Sequence, residues 1–397
     1  MLALTLAKGI GPVLAARLLA ALGSPEAALA APPAHLEKIP GIGRTRARAI
    51  AAAQADQVAI DAELELVHQH HATLVAIGEP NYPPLLAQIP DPPPILYIRG
   101  RRDPALDQYP VAIVGSRNCT AYGLEQAERF AGVLGRSGLT IVSGGARGID
   151  SGAHRGSLRA GGRTIAVMGC GLAHTYPPEN QDLFDQIVST DRGWLVSELP
   201  MNTAPAAENF PARNRIISGL SLGVIVLEAG HRSGSLITAR MAAEEHGREV
   251  MAIPGRVDSA ASEGTHTLLK EGAAMLVTSP GDVLALLETP ARHHHAGTHD
   301  ARYSPVRPPD TSTATLDDSD TATPAPLFAE APRRAPAPGL SPLHQQILDA
   351  LESPKSADVL AAELSLTPEL LRAQITMLEV LGRVARRGSL LERAAPR

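Results

Sequence analysis

The chain has 397 residues, of which 44% are hydrophobic and only 3% aromatic, so its cores must consist mainly of aliphatic side chains. That length is typical of roughly two to four domains. The formal net charge of −5 argues against a protein coated in basic surface, although a local groove of arginines could still bind nucleic acid. The cysteines, Cys119 and Cys170, are too few for a metal framework and fit a reduced, cytoplasmic compartment.

The first residues, Met1 to Gly23, are strongly apolar, which raises the question of a signal peptide or a membrane span. Lys8 and Arg17 interrupt this stretch. No uninterrupted run approaches the roughly 20 apolar residues that a spanning helix needs. We therefore expect a soluble protein with no targeting segment and no membrane partner.

Two similar segments, 8–19 and 40–50, each place a G-I-G turn before a helix with apolar spacing. This pattern is typical of an all-α helix-hairpin-helix module, which we assign to residues 1–71. Such a hairpin points backbone N–H groups towards DNA phosphates. An ordinary pair of helices turned by glycine remains the alternative. The second copy adds the basic residues Arg44, Arg46 and Arg48.

Residues 72–288 have the pattern of an α/β domain. Prolines separate short apolar runs between 72 and 100, which predicts additional edge strands. Continuous apolar runs then alternate with helical stretches such as 122–136 and 235–246; the runs are VAIVG, LTIVSG, RTIAVMG, WLVSE and LGVIVLEA. Buried strands that alternate with helices predict a doubly wound parallel sheet.

The composition shifts after Glu288. Residues 289–339 are rich in Pro, Thr, Ala and Asp and poor in large apolar side chains, which predicts a disordered linker. Four histidines fall in this segment: His293, His294, His295 and His299. A solvated stretch is a better interpretation of them than a metal site.

Helical periodicity returns in residues 340–397. Two helical patterns are followed by a turn in which Thr367 is the expected N-cap and Pro368 the first helical residue. A third helix and a β-hairpin then complete a winged helix. The third helix carries Arg372 but also Glu369 and Glu379, whereas DNA readers usually present several basic or amide side chains there. We therefore favour a protein-interaction or regulatory winged helix.

Five glycine-rich or basic turns follow apolar strands between Val111 and Arg256. They are VAIVGSR, SGGARGID, FPARNRIISG, EAGHRSGSLIT and AIPGR. In an open α/β sheet, ligands bind at the carboxyl ends of the strands. The sequence therefore predicts a site for an anion at this edge.

The first two turns are individually weak indicators. Gly115 and Ser116 could donate backbone N–H and hydroxyl groups to a phosphate, and Arg117 adds a planar cation. In the second turn, Ser143, Gly144 and Gly145 allow close backbone approach and Arg147 supplies charge. For the first turn, the alternative is a tight strand–helix turn with Arg117 in a surface ion pair. The second turn has the spacing of neither a dinucleotide-binding motif nor a P-loop.

The third turn is the most specific. Phe210 stands next to a basic turn formed by Arg213, Asn214 and Arg215. A ring beside guanidinium groups can hold an unpaired base and its phosphate together. The alternative, a core phenylalanine with structural arginines, is equally consistent with this motif in isolation.

The fourth turn, with Ser233, Gly234 and Ser235, is either a further contact or a plain capping turn. Glu198 and Glu228 lie at the ends of two strands and could form an acid pair. The sequence does not give the distance between their carboxylates. No catalytic triad or metal-ligand spacing stands out, so we expect no metal and no cofactor.

Together with YPPEN (176–180), SELP (197–200) and MAIPGR (251–256), these turns resemble the DprA/Smf family over roughly residues 82–288. Its members are bacterial DNA-processing proteins that bind single-stranded DNA and load the RecA recombinase during natural transformation. The resemblance implies an extended Rossmann-like core without catalysis, which forms a homodimer. It also implies a basic pocket lined by Arg117, the 143–145 turn, Phe210, Arg213 and Arg215. Many relatives carry a lysine where this chain has Ala207.

Two other functions remain as alternatives. Rossmann-like phosphoribohydrolases use a P-G-G-x-G-T turn with a nearby Glu, but this chain has EAGHRSGS at the comparable place. A sequence-specific regulator that uses the winged helix is disfavoured by the acidic residues on its third helix. The expected function is therefore that of a recombination mediator that protects single-stranded DNA and loads RecA in transformation or repair.

Overall fold

A computed structural model describes residues 1–296, 299, 342–351, 353, 355–364, 378, 384–387 and 390–393. The chain divides into two structural units, 1–310 and 311–397. Most of the predicted linker, 289–339, lies outside the described residues.

Six helices form the N-terminal part of the first unit. They are α1 (Leu2–Leu6), α2 (Pro12–Leu22), α3 (Pro25–Ala30), α4 (Pro33–Leu36), α5 (Arg44–Ala55) and α6 (Gln57–Gln69). Both G-I-G turns immediately precede a helix, since Gly11 is the N-cap of α2 and Gly43 that of α5. Arg46 ties the two turns together, because it donates to the carbonyls of Gly9 (3.1 Å) and Gly41 (2.7 Å). The predicted helical module is thus a paired structure.

Nine strands form one sheet. They are β1 (Ala72–Ala76), β2 (Ile95–Gly100), β3 (Pro110–Val114), β4 (Thr140–Ser143), β5 (Arg163–Val167), β6 (Gly193–Ser197), β7 (Gly223–Val226), β8 (Glu249–Ala252) and β9 (Met275–Leu276). Their spatial order is β1-β2-β6-β5-β4-β3-β7-β8-β9. Strands β3 to β9 pair in parallel, whereas β1 and β2 are antiparallel additions next to β6. Of β1 and β2, only β1 lies at an edge of the sheet, so the prediction of edge strands for 72–100 was wrong for β2.

The chain changes direction across the sheet between β3 and β7. From β3 the next strands are added on one side in the order β4, β5 and β6, and from β7 they are added on the other side. This arrangement is a topological switch point, where open α/β sheets bind their ligands outside the carboxyl ends of the strands.

Helices cover both faces of the sheet. The remaining helices of this unit are α7 (Pro84–Ala87), α8 (Ala121–Arg136), α9 (Ile149–Arg159), α10 (Gln181–Ser189), α11 (Asn209–Gly219), α12 (Gly234–Arg240), α13 (Glu263–Lys270) and α14 (Pro280–His295). Helices α7, α11, α12 and α13 pack on one face, and α6, α8, α9, α10 and α14 on the other. The predicted doubly wound sheet is confirmed.

The boundary predicted at residue 289 requires a correction. Helix α14 continues to His295, with Pro290 buried inside it, so His293, His294 and His295 are helical rather than part of a tail. His299 is also buried, and its ring lies 3.1 Å from a guanidinium nitrogen of Arg248. Packing of this segment against the domain overrides a composition that is typical of a linker.

The second unit contains helices α15 (Pro342–Ala350) and α16 (Ala357–Leu364). Its sheet consists of β10 (Lys355–Ser356), β11 (Val384–Arg387) and β12 (Leu390–Arg393), in the order β10-β12-β11. Strands β11 and β12 form the predicted hairpin. Within the predicted third helix the structure describes Leu378, which is buried. The residues named for this segment, Thr367, Pro368, Glu369, Arg372 and Glu379, lie outside the described part of the chain.

Candidate functional site

A cavity of about 740 Å³ opens at the switch point between β3 and β7. Nine of the predicted site residues line it: Gly115, Ser116, Arg117, Phe210, Arg213, Asn214, Ser233, Gly234 and Ser235. Gly144 and Arg147 line a small recess next to it, which shares Arg117 and Phe210 with the cavity. The structure therefore brings four of the five predicted turns to one place.

The turns after β3 and β7 hold each other in position. The backbone N–H of Ser116 donates to the carbonyl of Glu228 at 2.7 Å, so this amide is already used. The Ser116 hydroxyl accepts a hydrogen bond from the backbone N–H of Asn118 at 3.1 Å, which leaves its proton free to donate to a ligand. A Cβ atom at Gly115 would lie 2.8 Å from the same Glu228 carbonyl, which explains the glycine. The predicted phosphate-binding amide of Ser116 is thus structural.

Phe210 lies within a stack of aromatic and cationic groups. The guanidinium carbon of Arg117 is 5.1 Å from the centroid of the Phe210 ring. The ring of Tyr176 lies 5.4 Å away at an interplanar angle of 45°. Gly169 leaves room for the ring, because a Cβ atom there would be 2.7 Å from it. Arg117 is exposed and Phe210 is half-buried, so the stack presents both a cation and an aromatic ring to the cavity.

Arg213 forms part of the cavity floor and is only 5% exposed. It donates to the carbonyls of Gly144, at 2.5 Å, and Val167. Burial lowers the pKa of Arg213 to about 10. Burial also raises the pKa of the neighbouring Asp150 carboxyl, and the positive charge of Arg213 opposes that shift. Arg213 therefore holds two turns together beneath the cavity.

Arg215 does not belong to the site, although the sequence predicted it there. Its side chain is 6% exposed and forms ion pairs with Asp91 at 2.9 Å and Glu198 at 2.6 Å. Because Arg213 and Arg215 are two residues apart on α11, they point to different sides of the helix.

Two further predicted residues, at the end of β4 and in the turn after it, are also structural. Ser143 donates from its hydroxyl to the carbonyl of Ile113 at 2.7 Å, and Gly145 packs against Phe184.

The remaining predicted residues reach the cavity or the recess. The Ser233 and Ser235 hydroxyls are 2.8 Å apart, and Asn214 donates its side-chain N–H to the carbonyl of Gly234 at 3.3 Å. Arg147 is exposed at the recess, where it forms an ion pair of 2.5 Å with Glu179. These groups can hydrogen-bond to a ligand without rearrangement of the backbone.

The two strand-end glutamates do not form an acid pair. Glu198 binds Arg215 through both carboxylate oxygens, at 2.6 Å each. Glu228 accepts hydrogen bonds from the backbone and the hydroxyl of Thr120, at 2.8 and 2.6 Å. Each carboxylate therefore has its own structural partner.

The lining residues that the sequence did not predict include Gly169, Tyr176, His231 and Arg232. Tyr176 lies within the YPPEN motif, and His231 and Arg232 lie within EAGHRSGSLIT. The motifs were therefore signals for these residues, but no role was predicted for their side chains.

Within the described part of the chain, no group of His, Cys, Asp and Glu side chains has the arrangement of a metal site. Nor is any helix there both long and apolar enough to cross a membrane.

Three family models match the sequence. Residues 73–288 match the family described as DNA recombination-mediator protein A. Residues 1–55 match the SAM-like helix-hairpin-helix tandem, and residues 331–388 match the DprA winged helix domain. These matches agree with the predicted fold class, including both flanking modules.

Curated relatives and a solved structure support the same family as these models. The chain is 36% identical to Protein Smf of Synechocystis over 95% of its own length and 94% of the relative. It is 48% identical to DNA processing protein DprA of Streptococcus pneumoniae over 52% of the chain and 71% of the relative. The X-ray structure of Streptococcus pneumoniae DprA aligns with 70% of this chain and 98% of that chain, with a TM-score of 0.53 at 36% identity. The chain therefore belongs to the DprA/Smf family of DNA-processing proteins.

Proposed function

We propose that this protein is a recombination mediator that binds single-stranded DNA in the cavity between β3 and β7. It protects the strand and loads the RecA recombinase during natural transformation or repair. The observation that carries the proposal is the stack of Arg117, Phe210 and Tyr176 at the cavity.

The stack favours a single strand over a duplex. An aromatic side chain can stack on any unpaired base, whereas the bases of a duplex already stack on one another. The half-buried Phe210 ring lies against Arg117, Tyr176 and the backbone of Gly169. Because its neighbours hold it in place, the ring loses little conformational freedom when a base packs against it.

The charges around the stack favour a phosphodiester. Arg117 is exposed beside the ring, and the Ser116 hydroxyl lies in the same turn. Asp150 is the one carboxylate among the described residues that line the cavity, and it is buried next to Arg213. A strand that contacts such a surface releases counterions, so its affinity should fall steeply with salt.

A binding role is favoured over a catalytic one. Glu198 and Glu228 could have served as acid and base, but each is engaged with a structural partner. The matching family is itself described as a recombination mediator, which supports RecA as the protein partner. We further propose a cytoplasmic homodimer that pairs through the 72–288 core, with 1–71 and 340–397 as accessory modules and 289–339 as the connection.

Fluorescence anisotropy with a labelled oligothymidylate tests this function. Arg117→Ala and Phe210→Ala should each abolish most single-strand affinity, and the preference for single over double strands should disappear. Arg129→Ala is a matched control, because Arg129 lies over the Phe130 ring at the same 5.1 Å but on α8, away from the cavity. Binding that survives both cavity substitutions would assign the DNA site to another part of the chain. A strand-exchange assay with RecA tests the loading step separately.

A further inference from the structure

We propose that Arg232 is a second phosphate-binding cation of the cavity and that it acts together with Arg117 on one DNA strand. This inference rests on the proposed function. It assigns a residue that neither the motifs nor the sequence reasoning had assigned.

The position of Arg232 follows from the topology. Strands β3 and β7 are parallel neighbours, with Ala112 opposite Val224 and Val114 opposite Val226. Their carboxyl ends therefore lie side by side, roughly 5 Å apart. Arg117 follows the first strand and Arg232 the second, and both line the same cavity.

The two turns are also rigidly connected. The hydrogen bond from the Ser116 N–H to the Glu228 carbonyl joins them at 2.7 Å, just before the two arginines. Glu228 in turn holds Thr120, at the start of α8, through two hydrogen bonds. These bonds connect the turn that carries Arg117 to the end of β7, four residues before Arg232.

The charge of Arg232 is uncompensated. Other exposed arginines near this edge are paired: Arg147 with Glu179, Arg240 with Glu244 and Arg256 with Asp258. Arg232 is exposed and has no hydrogen-bond or ion-pair partner among the residues described in this structure. An unpaired guanidinium at the wall of a cavity is suited to a planar, bidentate contact with a phosphate.

The opposite part of the lining offers no such charge. Pro205, Ala206 and Ala207 precede α11 and line the cavity with small uncharged side chains. Arg213 is committed to backbone carbonyls in the floor. Among the described residues that line the cavity itself, a phosphate away from Arg117 can therefore obtain a guanidinium contact only from the turn after β7.

The test compares Arg232→Gln with Arg240→Gln. Arg240 is an exposed arginine on the following helix, and it is paired and does not line the cavity. Arg232→Gln should weaken binding of a labelled oligothymidylate roughly tenfold. The slope of log affinity against log salt should fall by about 0.7, the value for one lost single-strand phosphate contact. Arg240→Gln should change neither quantity, and circular dichroism should show both variants folded.

A gain of charge within the same cavity provides a second measurement. Ala207→Lys, added to Arg232→Gln, should restore much of the lost affinity and of the salt slope. Arg232→Gln with unchanged affinity and slope would overturn the assignment, while loss of binding in Arg117→Ala would show that the proposed function still stands. If none of the cavity substitutions affected binding, the proposed function itself would be wrong.

Discussion

The rim and the floor of the cavity use the same residue type for opposite purposes. At the rim, Arg117 and Arg232 are exposed and lie next to an open volume. In the floor and behind it, Arg213 and Arg215 are about 95% buried and bind carbonyls or carboxylates of the protein. The comparison shows that a basic motif does not by itself identify a binding surface. A guanidinium is available to a ligand when carbonyls and carboxylates of the protein do not already bind it.

The largest effect should come from Arg215. Arg215→Gln would leave the Asp91 and Glu198 carboxylates without their shared cation in a largely buried place. Breaking such a pair costs about 3–5 kcal/mol of unfolding free energy. Urea denaturation measures this loss. Arg117→Gln is the control from the rim and should change stability by less than about 0.5 kcal/mol, because Arg117 is exposed. Equal stabilities of the two variants would contradict the division between rim and floor.

Burial of two histidines, reinforced by the charges of nearby arginines, should also make the fold sensitive to acid. Burial, followed by the charges of Arg213 and Arg155, lowers the pKa of His154 to about 3. Burial, followed by Arg248 and Arg215, lowers the pKa of His246 to about 4. Between these values and about 6.5, the unfolded chain binds protons that the folded chain does not. The contribution of these two histidines to stability therefore decreases as the pH falls below about 6.5.

For His154 alone the loss from pH 7 to pH 5 is about 2 kcal/mol. His154→Gln should remove that share of the pH dependence, whatever its effect on absolute stability. Urea denaturation at both pH values, in wild type and variant, measures the difference. His231→Gln is the control, because His231 is exposed at the cavity. The same pH dependence in wild type and His154→Gln would show that this histidine is not kept neutral by its surroundings.

Tyr176 should have a smaller effect, confined to DNA binding. The ring supports Phe210 at 5.4 Å, and aromatic pairs of this kind are worth about 0.5–1.5 kcal/mol. Tyr176→Leu should therefore weaken single-strand affinity several-fold, less than Phe210→Ala does. Tyr122→Leu is a suitable control, because Tyr122 is 44% exposed on α8 and does not line the cavity. A loss as large as that of Phe210→Ala would mean that Tyr176 itself stacks on a base.

The sequence was sufficient to predict the sheet and the edge at which the site lies. Parallel strands that are buried on both faces read as continuous apolar runs, and the turns after them were visible as glycine-rich or basic segments. Phe210 and Arg117 could be named as candidates from their turns, but the motifs alone did not exclude a core ring or a surface ion pair. The resemblance to the DprA/Smf family then gave the same residues and the fold.

The sequence alone could not show that Arg213 lines the cavity whereas Arg215 does not, because the partners of both side chains are distant in the chain. Arg215 binds Asp91, which is 124 residues away, and Arg213 binds the carbonyl of Val167, 46 residues away. No local pattern encodes such pairs. The end of α14 was missed for a related reason: Pro290 and the histidines resemble a linker, but tertiary packing buries Pro290 and His299.

The smallest predicted effect concerns Arg147, which is exposed like the arginines of the rim but paired like those of the floor. Arg147 is exposed at the recess but already paired, at 2.5 Å, with the equally exposed Glu179. A strand that extends from the cavity past Phe210 would have to replace this carboxylate with a phosphate. Exposed ion pairs contribute little to stability, because solvent screens both charges. Glu179→Gln should therefore strengthen single-strand binding by a few-fold.

Glu128→Gln is the matched control for Glu179→Gln. It releases Arg159 from a similar pair of 2.6 Å, on a part of α8 and α9 that does not line the cavity or the recess. Removal of either carboxylate changes the net charge of the protein equally. A gain in affinity for Glu179→Gln alone would therefore come from the freed Arg147 rather than from charge in general. Equal gains for the two variants would place Arg147 outside the path of the strand, with its charge used only in the surface pair.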